Sequence, residues 1–525
     1  MASTTTTTQR DGNPASSTNP ASSTSPTSPS RIGARSATAE REQPARDLTA
    51  RLWSEDLPRE HGFEPLEIEG QWPAELTGTL FRNGPGQFGL FGKRYGHPFE
   101  GDGAVTAVRF GGGKVLGASR ITESRGLVEE RAAGKPLYGF SVPWLRRMRN
   151  LLGGRDKNTA NTSVMVWQDR LFAMVESSKP TEIAPSDLAT IGETDLGGVV
   201  RGAFSAHPHR VAARRTTYNF GVIQGRRPEL VVYELPDAGE ARELVSVPLA
   251  APTMLHDFIA TERHLVFFVS PVRVDVLKML TGFSDFSQLF HWKPELGTEV
   301  IIVNIDRPSD VVRFTTDAFY QWHFANAFER TASGQSRQSG QSGQSGQGGQ
   351  SGQGELVVDY VRYPTFESFG AIGRTLNGGN GDVLGAGRYH RATIDLAART
   401  LRSEQLLDRT CEFTTIEPGA EGREHAHAYM VLDDLGGIGR LDLRTGELVA
   451  HELPRTQRTT EPLFVPRANG GGDGGYIVAL QHDGPTNRAF AAVYDAARLP
   501  DGPIARAWFD HQIPITFHGT FASRL

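Results

Sequence analysis

Four histidines share a setting that the other histidines of the chain lack. The sequence holds fifteen in all, and these four are His207 in FSAHPHR, His256 in MLHDFIA, His323 in QWHFANAF and His518 in ITFHGTF. Each follows or ends an apolar, strand-like run. Four neutral imidazoles, with no obligatory thiolate or carboxylate, suit a borderline first-row metal such as Fe, Zn, Cu or Ni. Taken singly, each is an ordinary core or strand-end residue, because no fixed spacing of the HExxH kind marks the set. They lie too far apart for a local finger, so they form a site only if distant strands converge. His425 and His427 in EHAHAY form another apparent pair, since alternation puts both on one face of a strand. A solvated face is the plainer reading of that pair, and of His209, two residues after His207.

Three glutamates lie within or beside apolar strand segments: Glu176 in LFAMVESS, Glu412 in TCEFTT and Glu461 in TEPLFVP. An unpaired carboxylate is costly to bury. Metal-bound imidazoles generally donate their second N–H to a carboxylate or carbonyl, which fixes tautomer and ring orientation. Three carboxylates beside four histidines fit that arrangement. No Ser/His/Asp triad or carboxylate dyad is evident.

The elements that must bring these residues together are strands. Short runs rich in Val, Ile, Phe and Tyr recur from about residue 50, among them GTLFRNGPG, AVTAVRFGGGKVLGASRI, SVMVWQDRLFAMVES, HLVFFVSPV, EVIIVNID and YIVALQHDG. Gly, Asp, Asn or Pro bounds many of them, and GGGK and QDR read as hairpin turns. Helical periodicity is confined to VPWLRRMRNLLGG (142–154) and VLKMLTGFSDFSQLF (276–290). Strands recurring over most of the chain predict a closed or radial all-β fold, best met by a β-propeller, whose axis is where inner strands of separate blades converge. Residues 46–525 are read as one such domain. Residues 331–354 are a Gly/Ser/Gln insert, read as the lengthened loop of a hairpin, a growth that costs little entropy. Residues 1–45, rich in Ser, Thr and Pro, are read as a disordered tail; a transit peptide is the competing reading.

A net charge of −5 gives no electrostatic case for nucleic acid as a partner. A single cysteine, Cys411, rules out an intramolecular disulfide and fits a reducing compartment. No apolar run approaches the roughly 20 residues of a membrane span, and the N-terminus lacks the pattern of a secretory signal. A cytoplasmic protein is the expectation.

Ordered landmarks along the chain resemble those of the carotenoid cleavage oxygenases: LFRNGPG (80–86), HPFEGDGAVTAVRF (97–110), NTSVMVW (161–167), AMVES (173–177), AHP (206–208), MLHDF (254–258), WKPELGT (292–298), HFANAFE (323–329), CEF (411–413), EPLFVP (461–466) and FHGTF (517–521). The resemblance implies a seven-bladed β-propeller with Fe(II) on its axis, held by His207, His256, His323 and His518. It further implies that Glu176 orients His256, Glu412 orients His323 and Glu461 orients His518, with His207 lacking a carboxylate. Thr162 falls where a small side chain partly covers a coordination position. The implied reaction is cleavage of a conjugated C=C bond of a carotenoid or apocarotenoid by O2, giving two carbonyl products.

The sequence departs from the family pattern in places. EFTT stands for the usual EFPR, placing Thr414 where proline is expected, and Pro98 and Glu100 replace an aromatic and an Asp. Ser124 stands where the stilbene-cleaving branch has a phenol-holding lysine, with Lys135 nearby. The alternatives are a stilbene-cleaving dioxygenase, a polyene isomerase and, furthest from the pattern, a metal-free propeller scaffold. Family members take substrate from membranes, and segments 142–154 and 276–290 are the candidate contacts. The first combines Trp and Leu with Arg146, Arg147 and Arg149 as an interfacial helix does; the bland alternative is a helix packed on the propeller with its arginines solvated.

Overall fold

The computed structural model describes residues 47–140, 142–275, 278, 286–330, 354–376, 385–467 and 474–525. The tail 1–45, residues 331–353 of the insert and most of the second helical candidate lie outside the described residues.

Seven antiparallel sheets form the blades of a β-propeller. Their inner strands are His518–Ala522 (blade I), Ser163–Trp167 (II), His209–Val211 (III), Ile259–Ala260 (IV), Phe324–Arg330 (V), Cys411–Thr415 (VI), and Gln457–Thr459 with Leu463–Pro466 (VII). Leu463–Pro466 touches His518–Ala522, which in turn touches Ser163–Trp167, so the last blade meets the first. Both chain ends stitch the ring. His518–Ala522 pairs with Gly78–Gln87, Asn83 opposite His518, and Glu67–Gly70 pairs with Ala505–Trp508 at the outer edge of blade VII.

The core lies between blades. In the blade IV strand His264–Val269, Leu265 and Phe267 pack with Phe220 and Val232 of blade III. Val266 and Phe268 pack with Phe324 and Val358 of blade V. Both faces of the sheet are therefore buried, which is why HLVFFV runs apolar without alternation. The two expected hairpins close through two-residue turns with left-handed backbones: Gly112 and Gly113 at φ 59° and 72°, Gln168 and Asp169 at φ 51° and 59°. Those values match the twist of the flanking strands. At the far side of the QSG insert, Arg330 pairs with Glu355.

Three α-helices are described. Helix α1 (Arg125–Ala133) starts at Ser124, whose Oγ accepts the Leu127 N–H, and stops at Gly134 in the left-handed region, φ 62°. It is pinned by Lys157, whose Nζ lies 2.7 Å from Asp102 Oδ1 and 2.8 Å from Glu130 Oε2. Helix α2 (Trp144–Leu152) falls within the expected 142–154, and none of its residues is buried. Helix α3 (Glu367–Thr375), which the sequence did not announce, buries Phe369 and Ile372. Among the described residues no helix is long and apolar enough to cross a membrane.

Candidate metal centre

His207, His256 and His323 stand just before the inner strands of blades III, IV and V, and His518 opens that of blade I. Four different blades thus bring their imidazoles together. All four are buried, and a ligand nitrogen from each lies within 4.8 Å of the others. The Nε2 atoms of His256 and His323 are 3.3 Å apart, and those of His518 and His323 are 3.0 Å apart.

The carboxylates come from the remaining blades. Glu176 follows the second strand of blade II, and its Oε1 lies 2.7 Å from His256 Nδ1. Glu412, on the inner strand of blade VI, takes the Nδ1–H of His323. Glu461, on blade VII, accepts from His518 Nδ1 at 2.8 Å. With Nδ1–H given to a carboxylate, His323 and His518 turn a bare Nε2 lone pair inward; the His256 Nδ1 sits at contact distance from Glu176 without an aligned hydrogen bond. His207 has no such partner; its Nε2 is buried and makes no hydrogen bond.

The electrostatics follow from this layout. Burial and the three neighbouring imidazoles push His207 well below the usual histidine range. Burial also lowers His323, but Glu412 outweighs it and the net shift is upward. Burial tends to raise Glu461, yet His518, Arg82 and the Gly519 N–H hold it below the ordinary carboxylate value. Glu176 is likewise held low by His256 against its burial.

These residues fit a metal ion. Lone pairs about 3 Å apart repel unless a cation lies among them. Two nitrogens bound at about 2.0–2.1 Å and at right angles are separated by about 3 Å, close to the spacing seen here. The unpartnered, uncharged His207 nitrogen supplies a fourth donor.

Supporting residues lock the carboxylates. Arg82, fully buried, donates from Nη1 to Glu461 Oε2 at 2.7 Å and from Nη2 to the Phe517 carbonyl at 2.7 Å. Glu412 accepts from the Tyr363 hydroxyl at 3.1 Å and from the Phe413 N–H at 2.6 Å. A bulge at Glu412–Thr415 places Phe413 in the left-handed region, φ 52°, where a bulky residue is strained. Its ring stacks on His323 at 5.3 Å. Thr414, the residue in place of proline, lies in this bulge. Thr162 is buried, and its carbonyl accepts the His518 N–H at 3.3 Å. A largely buried aromatic cluster lies beside the centre: Trp322 meets His256 edge-on at 4.8 Å and donates its indole N–H to Ser368 of α3, Phe99 and Phe369 pack against Trp322, and Phe517 packs against Phe99.

Two sequence expectations need correction. His425 and His427 are buried rather than solvated. Asn326 binds His425 Nδ1 at 3.0 Å and also the Ala420 and Arg423 carbonyls, which ties His425 to the 420–423 loop, and His427 Nε2 lies 3.7 Å from Asp442 Oδ2. His209 is not a free surface residue, because its Nε2 lies 2.9 Å from Asp257 Oδ1. Sequence reasoning missed Arg82, Asp257 and Tyr363. The available signal for Arg82 and Asp257 was a charge inside an apolar motif, LFRNGPG and MLHDF; Tyr363 carried none.

The comparisons agree with this geometry. Residues 55–523 match the family model RPE65, retinal pigment epithelial membrane protein. The chain is 30% identical over 493 residues to the apocarotenoid-15,15'-oxygenase of Synechocystis, covering 89% of this chain and 94% of the relative. It is 27% identical to lignostilbene-alpha,beta-dioxygenase isozyme III of Sphingomonas paucimobilis, covering 87% and 93%. It is 25% identical to a chloroplastic 9-cis-epoxycarotenoid dioxygenase of Arabidopsis thaliana, covering 87% and 78%. The solved cobalt-substituted Synechocystis apocarotenoid oxygenase superposes with a TM-score of 0.78 at 28% identity, covering 90% of this chain and 98% of the other. A seven-bladed propeller with four axial histidines, matched over nearly its whole length, places this chain in the carotenoid cleavage oxygenase family of enzymes, the family of the retinal pigment epithelial membrane protein.

Proposed function

We propose that the chain is a non-haem Fe(II) dioxygenase that cleaves one conjugated C=C bond of a carotenoid or apocarotenoid with O2. One observation carries this reading: four buried imidazoles converge, three of them backed by carboxylates, with no thiolate or carboxylate among the ligands. In this reading His207, His256, His323 and His518 hold the ion. Glu176, Glu412 and Glu461 fix their tautomers, and Thr162 covers part of a coordination position. Fe(II) bound there supplies O2 binding and activation. Both oxygen atoms end in the two carbonyl products, so no outside reductant is needed.

The protein's own part is orientation and exclusion of water. In this reading Trp322, edge-on to His256, and the aromatic cluster it forms with Phe99 and Phe369 shield the centre from water. No lysine serves as a phenol holder near α1. Ser124 is its buried N-cap, Lys135 is exposed, and Lys157 is engaged by Asp102, Glu130 and Tyr95. That favours a polyene over a hydroxystilbene. A polyene partitions into membranes, and α2 turns Leu145 and Leu152 outward, 73% and 82% exposed, beside Arg146 and Arg149. We assign the protein to the cytoplasm, docking peripherally on a membrane through this helix.

Anaerobically purified protein should contain about one iron per chain, and His323→Ala should lose it while remaining folded. Incubation with an apocarotenal should consume O2 and give two carbonyl products by mass. Rearranged polyene without O2 uptake would indicate the isomerase, and cleavage of a hydroxystilbene alone the stilbene enzyme. Folded protein that takes up no iron under these conditions overturns the reading.

A further inference from the structure

Asp257 touches three blades at once. Its side chain is buried, 2% exposed. Oδ1 accepts the N–H of Phe258, within blade IV, at 2.8 Å and lies 2.9 Å from His209 Nε2 of blade III. Oδ2 accepts the N–H of Phe324, the first residue of the blade V inner strand, at 2.9 Å. A bulge between Phe324 and Asn326 interrupts the ladder there, and the carboxylate takes up the Phe324 N–H beside that interruption. His209 is also braced edge-on against Phe258, ring centroids 5.0 Å apart.

The sequence positions matter as much as the bonds. Asp257 adjoins His256, Phe324 adjoins His323, and His209 lies two residues after His207. One carboxylate therefore ties together the backbone segments that carry three of the four imidazoles. Ser205 adds a parallel link, its Oγ accepting the His207 N–H at 3.1 Å and donating to the His256 carbonyl at 3.3 Å. The fourth imidazole has its own anchorage, through Asn83 and Arg82 on the paired strand of blade I.

We infer that Asp257, with His209, is a positioning clamp that sets the mutual spacing of His207, His256 and His323 without touching the metal. This rests on the metal-centre reading above. A carboxylate is suited to the task because it accepts three hydrogen bonds from three directions. An asparagine offers one oxygen and would set its amide N–H against a donor.

Cobalt(II) serves as the probe, because its ligand-field spectrum reports the imidazole arrangement independently of turnover. Wild-type protein should load Co(II) and release it slowly to excess chelator. Asp257→Asn and Asp257→Ala should release it about 10-fold faster or more, with a shifted spectrum. His209→Leu should move both readouts in the same direction by less, and His209→Gln, which keeps an N–H donor, should restore them. Lower stability of the metal-free variants with unchanged release and spectrum would show a merely structural aspartate and overturn the clamp. If Asp257→Ala does not fold, His209→Leu against His209→Gln decides in the same way. Wild-type protein that binds neither Co(II) nor Fe(II) would overturn the metal reading itself, an outcome distinct from failure of the clamp.

Discussion

At the scale of single residues, the centre depends on charges buried in balance. Arg82 is the one cation in direct contact with a carboxylate of the centre, among the described residues, and both partners are nearly inaccessible. Removing one partner of a buried pair strands the other, at a cost of about 3–5 kcal/mol. Arg82→Ala should therefore lower the unfolding free energy of the metal-free protein by about that much, read from its denaturant midpoint. Buried neutral histidines away from the centre set a second dependence. Burial depresses His97 and His482 to about 4. The unfolded chain binds their protons first as pH falls, so their contribution to stability is complete above about pH 6.5 and is lost on the way down to about 4. By pH 5 each should cost about 2 kcal/mol. A pH series of unfolding free energies should show this slope, and His482→Gln should flatten it.

At the scale of elements, α2 differs from its neighbours. Helix α1 is pinned by a buried lysine and α3 carries Phe369 into the aromatic cluster, whereas α2 has no fully buried residue, is held by Arg147 over Phe140 and Asn150 on the Leu137 carbonyl, and leaves Trp144, Leu145, Leu151 and Leu152 exposed. Leu145 and Leu152, two turns apart, share a face. Leu145→Glu combined with Leu152→Glu should abolish co-sedimentation with anionic vesicles. The same double variant should leave unfolding free energy within about 1 kcal/mol, because these are surface positions. The inner strands show the opposite economy. Those of blades I, III, IV and V begin at His518 or within three residues after His207, His256 and His323.

At the scale of the molecule, every blade gives one polar residue to the axis: His518, Glu176, His207, His256, His323, Glu412 and Glu461 in blade order. The ring closes on a strand that itself starts with His518, a candidate ligand, so the four imidazoles meet only when that last strand pairs with Gly78–Gln87. Deletion of residues 333–353, between the strands paired at Arg330 and Glu355, should leave iron content per chain unchanged, since closing a shorter loop costs less chain entropy. Metal analysis of the purified deletion variant checks this.

Much of this was legible in the sequence. Apolar runs punctuated by turn residues marked the strands, GGGK and QDR marked hairpins, and the landmark motifs singled out four histidines and three glutamates. Residue chemistry and local pattern are sufficient for these, because each is written in a few adjacent positions. What the sequence did not contain was distance. Alternation identified a common face for His425 and His427 but not Asn326, which binds His425 and the 420–423 loop. Nothing near residue 257 announced that its carboxylate would reach His209 and Phe324. Helix α1 carries local caps at Ser124 and Gly134, whereas α3 lacks a side-chain N-cap and buries Phe369 in an aromatic cluster from elsewhere. Sequence alone determined which groups were available for chemistry. Tertiary structure decided which of them meet, because only closure of seven blades brings residues 207 through 518 within bonding distance.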